Sequence, residues 1–226
     1  MKHKASNLFS ALCLAALAVV SAGGQVTDAA KINEPFNSLT RAEIEMLVAN
    51  AVEAKPEVLR KLTEDPEMKR LQIEQLRQLL AFASQAQKEG MSADPTNRQE
   101  LENIRAEITA VSYDRMLNKG KPATPAFGNI TTAQVAKYWS DAGHEPQFVR
   151  FLDSKIKLLG KSEKGQTITA EEKAQARDVF ARTQIYLAEY EAKLKNGSLT
   201  KEFVANADLQ VKLQQAQFLA RLYSEK

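Results

Sequence analysis

The feature that most constrains the fold is a pair of Asp-Pro dipeptides, Asp65-Pro66 and Asp94-Pro95, each followed by a long run with apolar residues at helical spacing. Aspartate is favoured at the N-cap of a helix, and proline is tolerated at the first helical position because its missing N–H is not needed there. Gly90, between the two runs, provides the left-handed backbone that commonly ends a helix. The pattern predicts two long helices joined by about four residues and packed as an antiparallel hairpin.

The rest of the chain repeats this pattern of capped, apolar-periodic segments, and runs typical of β-strands are nearly absent. Thr40 with Glu43, and Thr169 with Glu172, have the spacing of a capping box. Further helices are predicted to begin at Thr131 or Thr132, at Pro146 and after Asn196-Gly197. The predicted fold class is all-α, with long amphipathic helices in crossing hairpins.

The helix after Thr169 carries an apolar row of unusual regularity. It is predicted to run for about 26 residues to Lys195, which at 1.5 Å per residue is roughly 39 Å. Its apolar positions alternate four and three residues apart, as in a coiled coil, and we name them the 176–194 seam: Ala176, Phe180, Thr183, Leu187, Tyr190 and Leu194. Two interpretations remain open, an internal contact covered by the final helix or an interface with a second copy of the chain.

Residues 1–22 have the features of a secretory signal peptide. A basic start precedes a 13-residue apolar run, Leu8 to Val20, which is shorter than the roughly 20 residues that cross a bilayer as a helix. Small residues predict cleavage after Ala22, and the mature chain is then periplasmic or secreted, without a stable membrane span. The alternative is an uncleaved N-terminal anchor. Lipid attachment at Cys13 is not expected, because Leu12 stands where a small residue is needed.

Composition limits the partners of the mature chain. The full chain has 31 Lys+Arg and 28 Asp+Glu, and cleavage removes Lys2 and Lys4, so that the net charge falls to about +1. Both signs are interspersed along the chain, which predicts no nucleic-acid partner. Cleavage also removes Cys13, the single cysteine, so apolar burial rather than disulfides must hold the fold.

The sequence predicts two helical regions after the signal peptide. Residues 23–118 form an N-terminal helical region, and residues 131–226 form a C-terminal helical region that packs back on the first. Residues 119–130, which include two prolines and two glycines, are predicted as the linker between them.

Residue types that carry out chemistry are scarce in the sequence. His144 would be the single histidine of the mature chain, and it lies in a predicted surface turn. Metal sites and nucleophile–base pairs need several convergent groups, and no glycine-rich loop for a phosphate is present. We therefore predict no catalytic residue, no metal site and no cofactor.

Methionine and aromatic residues are the candidates for binding apolar partners, because Met repacks easily and aromatic rings offer large apolar surfaces. Core packing is the competing interpretation for each of them. Phe127 is the strongest candidate, since it lies in the predicted linker. On the helix after Pro146, apolar residues share one face: Phe148, Phe151, Leu152, Ile156 and Leu159. The predicted client-binding residues are Met46, Phe82, Met91, Met116, Phe127, Trp139, Phe148 and Phe151.

The segment Met68 to Tyr113 resembles the N-terminal helical region of the SurA-like, parvulin-type periplasmic foldases. A leucine-rich helix is followed by Ala-x-x-x-Gly-hydrophobic, a spacer with Asp-Pro and a helix of form Arg-x-x-Leu-Glu-x-x-Arg. The matching residues are Ala86, Gly90, Met91, Asp94, Pro95, Arg98, Leu101, Glu102 and Arg105. The segments "KINEPFNSLTRAEIEMLV" and "ITTAQVAKYW" are similar to the entry and exit of that region, although the family's glycine is missing from the first.

This resemblance implies the chaperone half of the family without an intact parvulin module. Parvulin modules contain strands and a pair of histidines, whereas the 87 residues after Trp139 are predicted to be helical and include only His144. The first hypothesis is therefore an exported, ATP-independent chaperone that binds unfolded or partly folded proteins in a groove between helices. The alternatives are a divergent or degenerate peptidyl-prolyl isomerase and a structural helical protein that forms homo-oligomers, such as a homodimer, in the cell envelope.

Overall fold

The computed structural model describes residues 38–54, 64–122, 124–162 and 168–226, together with residues 36, 57 and 60. The predicted signal peptide lies outside the described residues. Within them the chain is all-helical and contains no strand, which confirms the predicted class. The helices are α1 (Arg41–Ala54), α2 (Pro66–Lys88), α3 (Pro95–Asn118), α4 (Thr132–Trp139), α5 (His144–Ser162), α6 (Ala170–Lys195) and α7 (Lys201–Ser224), with a 3₁₀ turn at Met91–Ala93.

The chain divides into two compact units. Of the described residues, Ser38–Gln78 belong to the first unit, and Leu79–Lys226 with Phe36 belong to the second. The predicted linker at 119–130 therefore lies inside the second unit.

The predicted helix starts are made by the side chains that the sequence indicated. The Asp65 carboxylate accepts hydrogen bonds from the backbone N–H groups of Glu67 and Met68, both at 3.0 Å. The Asp94 carboxylate accepts from the N–H groups of Thr96 and Asn97 at 2.9 and 3.1 Å. These bonds satisfy N–H groups that have no partner within the helix.

The ends of α6 are also as predicted. The Thr169 hydroxyl accepts from the Glu172 N–H at 3.2 Å, and the Glu172 carboxylate accepts from the Thr169 N–H at 2.8 Å, which forms a capping box. At the other end, Gly197 has a φ of +72°. The Ser198 N–H then donates to the carbonyl of Lys193 at 2.9 Å, which ends the helix in the way typical of a left-handed C-terminal residue.

Helix α5 begins and ends at different residues from those predicted. It starts at His144, two residues before Pro146, and continues to Ser162, whereas the sequence indicated a loop from Gly160. Proline is tolerated throughout the first turn because the N–H groups there have no helical acceptor. Pro146 therefore marks the first turn without fixing the first residue. The predicted loop beyond Ser162 lies outside the described residues as far as residue 167.

Helix α3 lies at the centre of the second unit, where it packs against α5, α6 and α7. The sequence predicts that α3 pairs with the helix before it, but its main neighbours are the helices that follow. One core cluster joins α3, the 119–131 segment, α4 and α6: Ala110, Tyr113, Phe127, Ile130, Val135, Ala181, Tyr186 and Tyr190. A second joins α5 and α6: Phe148, Phe151, Leu152, Ala176 and Phe180.

The 176–194 seam is largely an internal contact. Ala176, Phe180, Thr183 and Tyr190 are buried within the second unit, and Leu194 at its end is exposed. The prediction that the final helix covers the seam is wrong. Helix α6 packs mainly along α3, and α7 touches it near the connecting turn, where the Phe203 ring lies 6.2 Å from that of Tyr190.

The described part of the first unit comprises α1 and the first thirteen residues of α2. Leu47 and Leu76 are its buried leucines. Exposed ion pairs run along the solvent faces, with 2.8 Å between Arg41 Nε and Glu45 Oε1 and 2.8 Å between Arg70 Nε and Glu67 Oε2. Exposed pairs of this kind contribute little to stability, at most about 1 kcal/mol each.

Candidate functional site

Three of the predicted client-binding residues are buried in the core of the second unit. Phe148 has no exposed surface, and Phe127 and Phe151 are each 7% exposed. The Phe151 and Phe180 ring centroids are 5.0 Å apart, and those of Phe127 and Tyr186 are 5.7 Å apart. In the folded state the three side chains therefore pack in the core, and their role in client binding stays a prediction.

Phe127 is buried because the predicted linker is fastened to the core. Its N–H donates to the Asp114 carboxylate at 3.2 Å, and its carbonyl accepts from the Arg182 guanidinium at 3.2 Å. The same guanidinium donates to the carbonyl of Ile130 at 2.6 Å. Phe127 has a φ of +59°, a left-handed conformation that is costly for a residue with a bulky side chain. These three hydrogen bonds and the burial of the ring offset that cost.

The other predicted binding residues are half-buried. In the second unit the Phe82 ring lies 5.4 Å from that of Tyr223, Met91 is in the 3₁₀ turn, and Met116 packs against the first core cluster. Trp139 lies beneath a guanidinium, with the Arg177 Cζ atom 3.6 Å from the ring centroid. In the first unit, Met46 is half-buried on α1. Of the predicted set, Phe127, Phe148 and Phe151 are thus in the core, and the other five are half-buried.

His144 is a structural residue of the corner between α4 and α5 rather than a surface turn residue. Its ring stacks on that of Tyr138 with centroids 3.7 Å apart and planes 2° from parallel. Its Nδ1 atom is 2.6 Å from the carbonyl oxygen of Tyr138. Burial raises the pKa of the Tyr138 hydroxyl to about 12, and the nearby Asp141 carboxylate acts in the same direction. The imidazole thus closes the corner by stacking and hydrogen bonding.

Exposed apolar side chains occur beside the buried aromatic residues of α5. Val149 is 45% exposed and Ile156 is 40% exposed, and seven residues place them two turns apart on one face, roughly 10 Å along the axis. Asp153, also exposed, lies between them on that face. We name Val149, Asp153 and Ile156 the α5 outer face. The sequence groups Ile156 on one face with Phe148 and Phe151; in the structure those two are buried, whereas Ile156 is exposed.

A polar cluster that the sequence analysis missed joins α3 to α5. The Lys155 ammonium is 2.8 Å from the Glu100 carboxylate and 3.1 Å from that of Glu107. The Asn103 amide donates to Glu100 at 3.1 Å and to the Ser154 hydroxyl at 2.9 Å. We name these five residues the Lys155 cluster.

Burial and charge act in opposite directions within the Lys155 cluster. Burial raises the pKa of Glu107, with a smaller contribution from the like charge of Glu100, although the ammonium of Lys155 opposes both. Burial alone would lower the pKa of Lys155, but Glu107 and Glu100 together raise it above its ordinary value. The ammonium is therefore firmly charged at neutral pH.

The spacing of the polar residues on α3 is the sequence signal that could have predicted this cluster. Glu100, Asn103 and Glu107 are spaced three and four residues apart, so they share one face of α3. They directly precede Leu101, Ile104 and Ile108, which places the polar row at the edge of the apolar face of α3. The partner Lys155 is on a different helix, and nothing in its local sequence points to it.

In the residues that the structure describes, no group of three or more His, Cys, Asp or Glu side chains could hold a metal ion. None of the described helices is both long enough and apolar enough to span a bilayer.

Comparison of the chain with models of known protein families, with curated proteins and with solved structures found no match. Function is therefore inferred from the geometry described above and from the sequence.

Proposed function

We propose that the protein is an exported, ATP-independent folding helper that binds apolar segments of unfolded or partly folded chains on the α5 outer face. The observation that carries the proposal is the exposure of Val149 and Ile156 on one side of α5. Branched apolar side chains that stay in water in the folded protein gain free energy when a partner covers them. The resemblance of Met68 to Tyr113 to the helical region of SurA-like foldases, with its crossing hairpins, is a second support.

The α5 outer face suits a client of mixed character. Val149 and Ile156 supply two apolar contacts, and Asp153 between them supplies a hydrogen-bond acceptor for a backbone N–H. An extended chain rises about 3.3 Å per residue, so roughly three client residues span the distance between the two side chains. Covering the exposed halves of both side chains contributes about 1.5 kcal/mol, and binding at such a site is weak and sequence-tolerant.

The test is suppression of aggregation. The mature protein is mixed in several-fold excess with a chemically denatured client that has been diluted into buffer, and light scattering is followed. We expect suppression by the unmodified protein and roughly tenfold weaker suppression by the double variant Val149→Ser, Ile156→Ser, because about 1.4 kcal/mol corresponds to tenfold in affinity. Absence of suppression by the unmodified protein contradicts the proposal.

The matched control is the double variant Arg150→Ser, Lys157→Ser. These two residues are also exposed, on the same helix and seven positions apart, but they are charged rather than apolar. We expect this control to suppress scattering as well as the unmodified protein does. Equal suppression by both double variants would place the client site elsewhere on the molecule.

Self-association gives a different result in the same preparation. If the α5 outer face instead binds a second copy of the chain, sedimentation shows a concentration-dependent dimer that the variant Val149→Ser, Ile156→Ser dissociates. The prolyl-isomerase alternative would appear as faster isomerisation of a proline peptide that is lost on His144→Ala.

A further inference from the structure

The Lys155 cluster provides the polar contact between α3 and α5. None of the residues in the second core cluster, which attaches α5 to α6, lies on α3. In the Lys155 cluster, Asn103 and Ser154 are 6% and 4% exposed, and the Glu100 side chain is 10% exposed. The α3–α5 contact therefore includes ion pairs and hydrogen bonds that are mostly withdrawn from water.

The charges of this contact do not balance. Glu100 and Glu107 are two carboxylates, and Lys155 is the single ammonium that both of them contact. A mostly buried group of charges with one excess negative charge is costly, because burial disfavours the charged form of the unmatched carboxylate. Glu107 is the more exposed of the two, with 22% of its side chain accessible, so it can exchange a proton with solvent.

We infer that the α3–α5 contact is proton-linked: one proton taken up by the Lys155 cluster neutralises its excess negative charge and strengthens the docking of α5 on α3. Glu107 is the carboxylate that accepts the proton. The contact between Lys155 and Glu100, at 2.8 Å, is retained. The contact therefore becomes tighter as the solution becomes mildly acidic.

In the part of the chain that the structure describes, Lys155 is the basic group that acts on Glu107. On α6, Arg182 is bound to Asp178 at 2.7 Å and to the carbonyls of Phe127 and Ile130. On α7, the acidic group that acts on α3 is Asp208, which faces Arg105. The charged groups that act on Glu107 are Lys155 from α5 and Glu100 from α3 itself.

The direction of the pH dependence follows from the pKa of Glu107, which burial raises above its ordinary value of 4.5. A carboxyl group with a higher pKa in the folded state binds its proton more tightly there than in the unfolded chain. Its contribution to stability is complete below the unfolded pKa and is lost as the pH rises through the folded pKa. The stabilising window thus lies on the acidic side of neutrality.

The experiment is urea unfolding of the full mature chain in a pH series that runs from neutral pH down to 4.5, the ordinary value of the glutamate pKa. The variant Glu107→Gln has the size of the protonated side chain at every pH. We expect Glu107→Gln to unfold at higher urea than the unmodified protein at neutral pH, and the difference to close as the pH falls. The control Glu102→Gln, an exposed position on the same helix, should show no pH-dependent difference.

A lower urea midpoint for Glu107→Gln at neutral pH, or a difference that does not change with pH, overturns the inference. A second measurement does not depend on a variant: titration of the Glu107 carboxyl carbon by NMR in the unmodified chain. A midpoint above 4.5 supports the inference, and a midpoint at or below that value overturns it. Neither measurement involves a client, so the inference stands or falls separately from the proposed function.

Discussion

At the scale of single residues, Phe148 and Val149 are neighbours in sequence with opposite environments. Phe148 is fully buried among Phe151, Phe180 and Trp139, and Val149 is 45% exposed. We expect Phe148→Ala to lower the free energy of unfolding by about 3–5 kcal/mol, because it removes a buried ring and leaves a cavity. We expect Val149→Ala to change it by less than about 0.5 kcal/mol.

Urea unfolding monitored by far-UV circular dichroism measures both variants. Similar losses of stability for Phe148→Ala and Val149→Ala would mean that α5 is rotated about its axis and turns a different face to the core. A large loss for Val149→Ala alone would place the α5 outer face against another part of the chain.

Helix α5 also shows what the sequence could predict about the site. Helical spacing correctly assigned Phe148 and Phe151 to one face of a helix, but it could not say whether that face meets a client or the protein's own core. The spacing also places Ile156 on this face, but Ile156 is exposed. Its neighbours Ser154 and Lys155 contact α3. Helical periodicity identifies the apolar residues on one face, and the packing of other helices determines which of them are buried.

Among the helices, a glycine that follows the last helical residue differs in backbone conformation from a glycine inside a helix. Gly197 has a φ of +72° after α6, and Gly160 lies inside α5. An added Cβ atom meets nothing within 4 Å at either position. We expect Gly197→Ala to cost about 1–2 kcal/mol from backbone strain alone, and Gly160→Ala to stabilise by about 0.5–1 kcal/mol because alanine favours the helix.

Thermal or urea unfolding of the two alanine variants, measured side by side, tests this prediction. Since the steric surroundings are equally open, the sign of the change depends on backbone conformation. Destabilisation by Gly160→Ala to the same extent as by Gly197→Ala would contradict it.

The capped starts of α2, α3 and α6 were predictable from the sequence because capping is local. The bonds at Asp65, Asp94 and Thr169 join groups at most three residues apart, so the sequence contains both partners side by side. The packing of α6 against α3 was not predictable, because it joins residues far apart in sequence. The burial of Phe127 and Ile130 was also not predictable, since the backbone beside them is held by Asp114 and Arg182 from two different helices.

At the scale of the whole molecule, the sequence predicts a precursor that is exported and shortened. Expressed from its own start in a bacterium, the full chain is expected to reach the periplasm or the medium and to begin at Gly23, because the small residues before this position suit signal cleavage. Intact mass spectrometry of the exported protein measures the N-terminus. The control is a chain in which Ala22→Arg blocks the predicted cut.

An N-terminus at Met1 in the membrane fraction would instead indicate the uncleaved anchor. Retention of the full chain in the cytoplasm would contradict export. The proposed folding helper would then not be an exported protein. The aggregation-suppression test would remain valid in that case, since it uses the isolated protein.

Trp139 is the single tryptophan of the chain, and it lies where α4, α5 and α6 meet. The Arg177 guanidinium covers its ring at 3.6 Å and is joined to Glu145 at 2.9 Å. Intrinsic fluorescence excited at the indole therefore reports on this corner and on no other part of the molecule. The protein thus contains its own optical probe, which can follow the opening of the corner in real time without any attached dye.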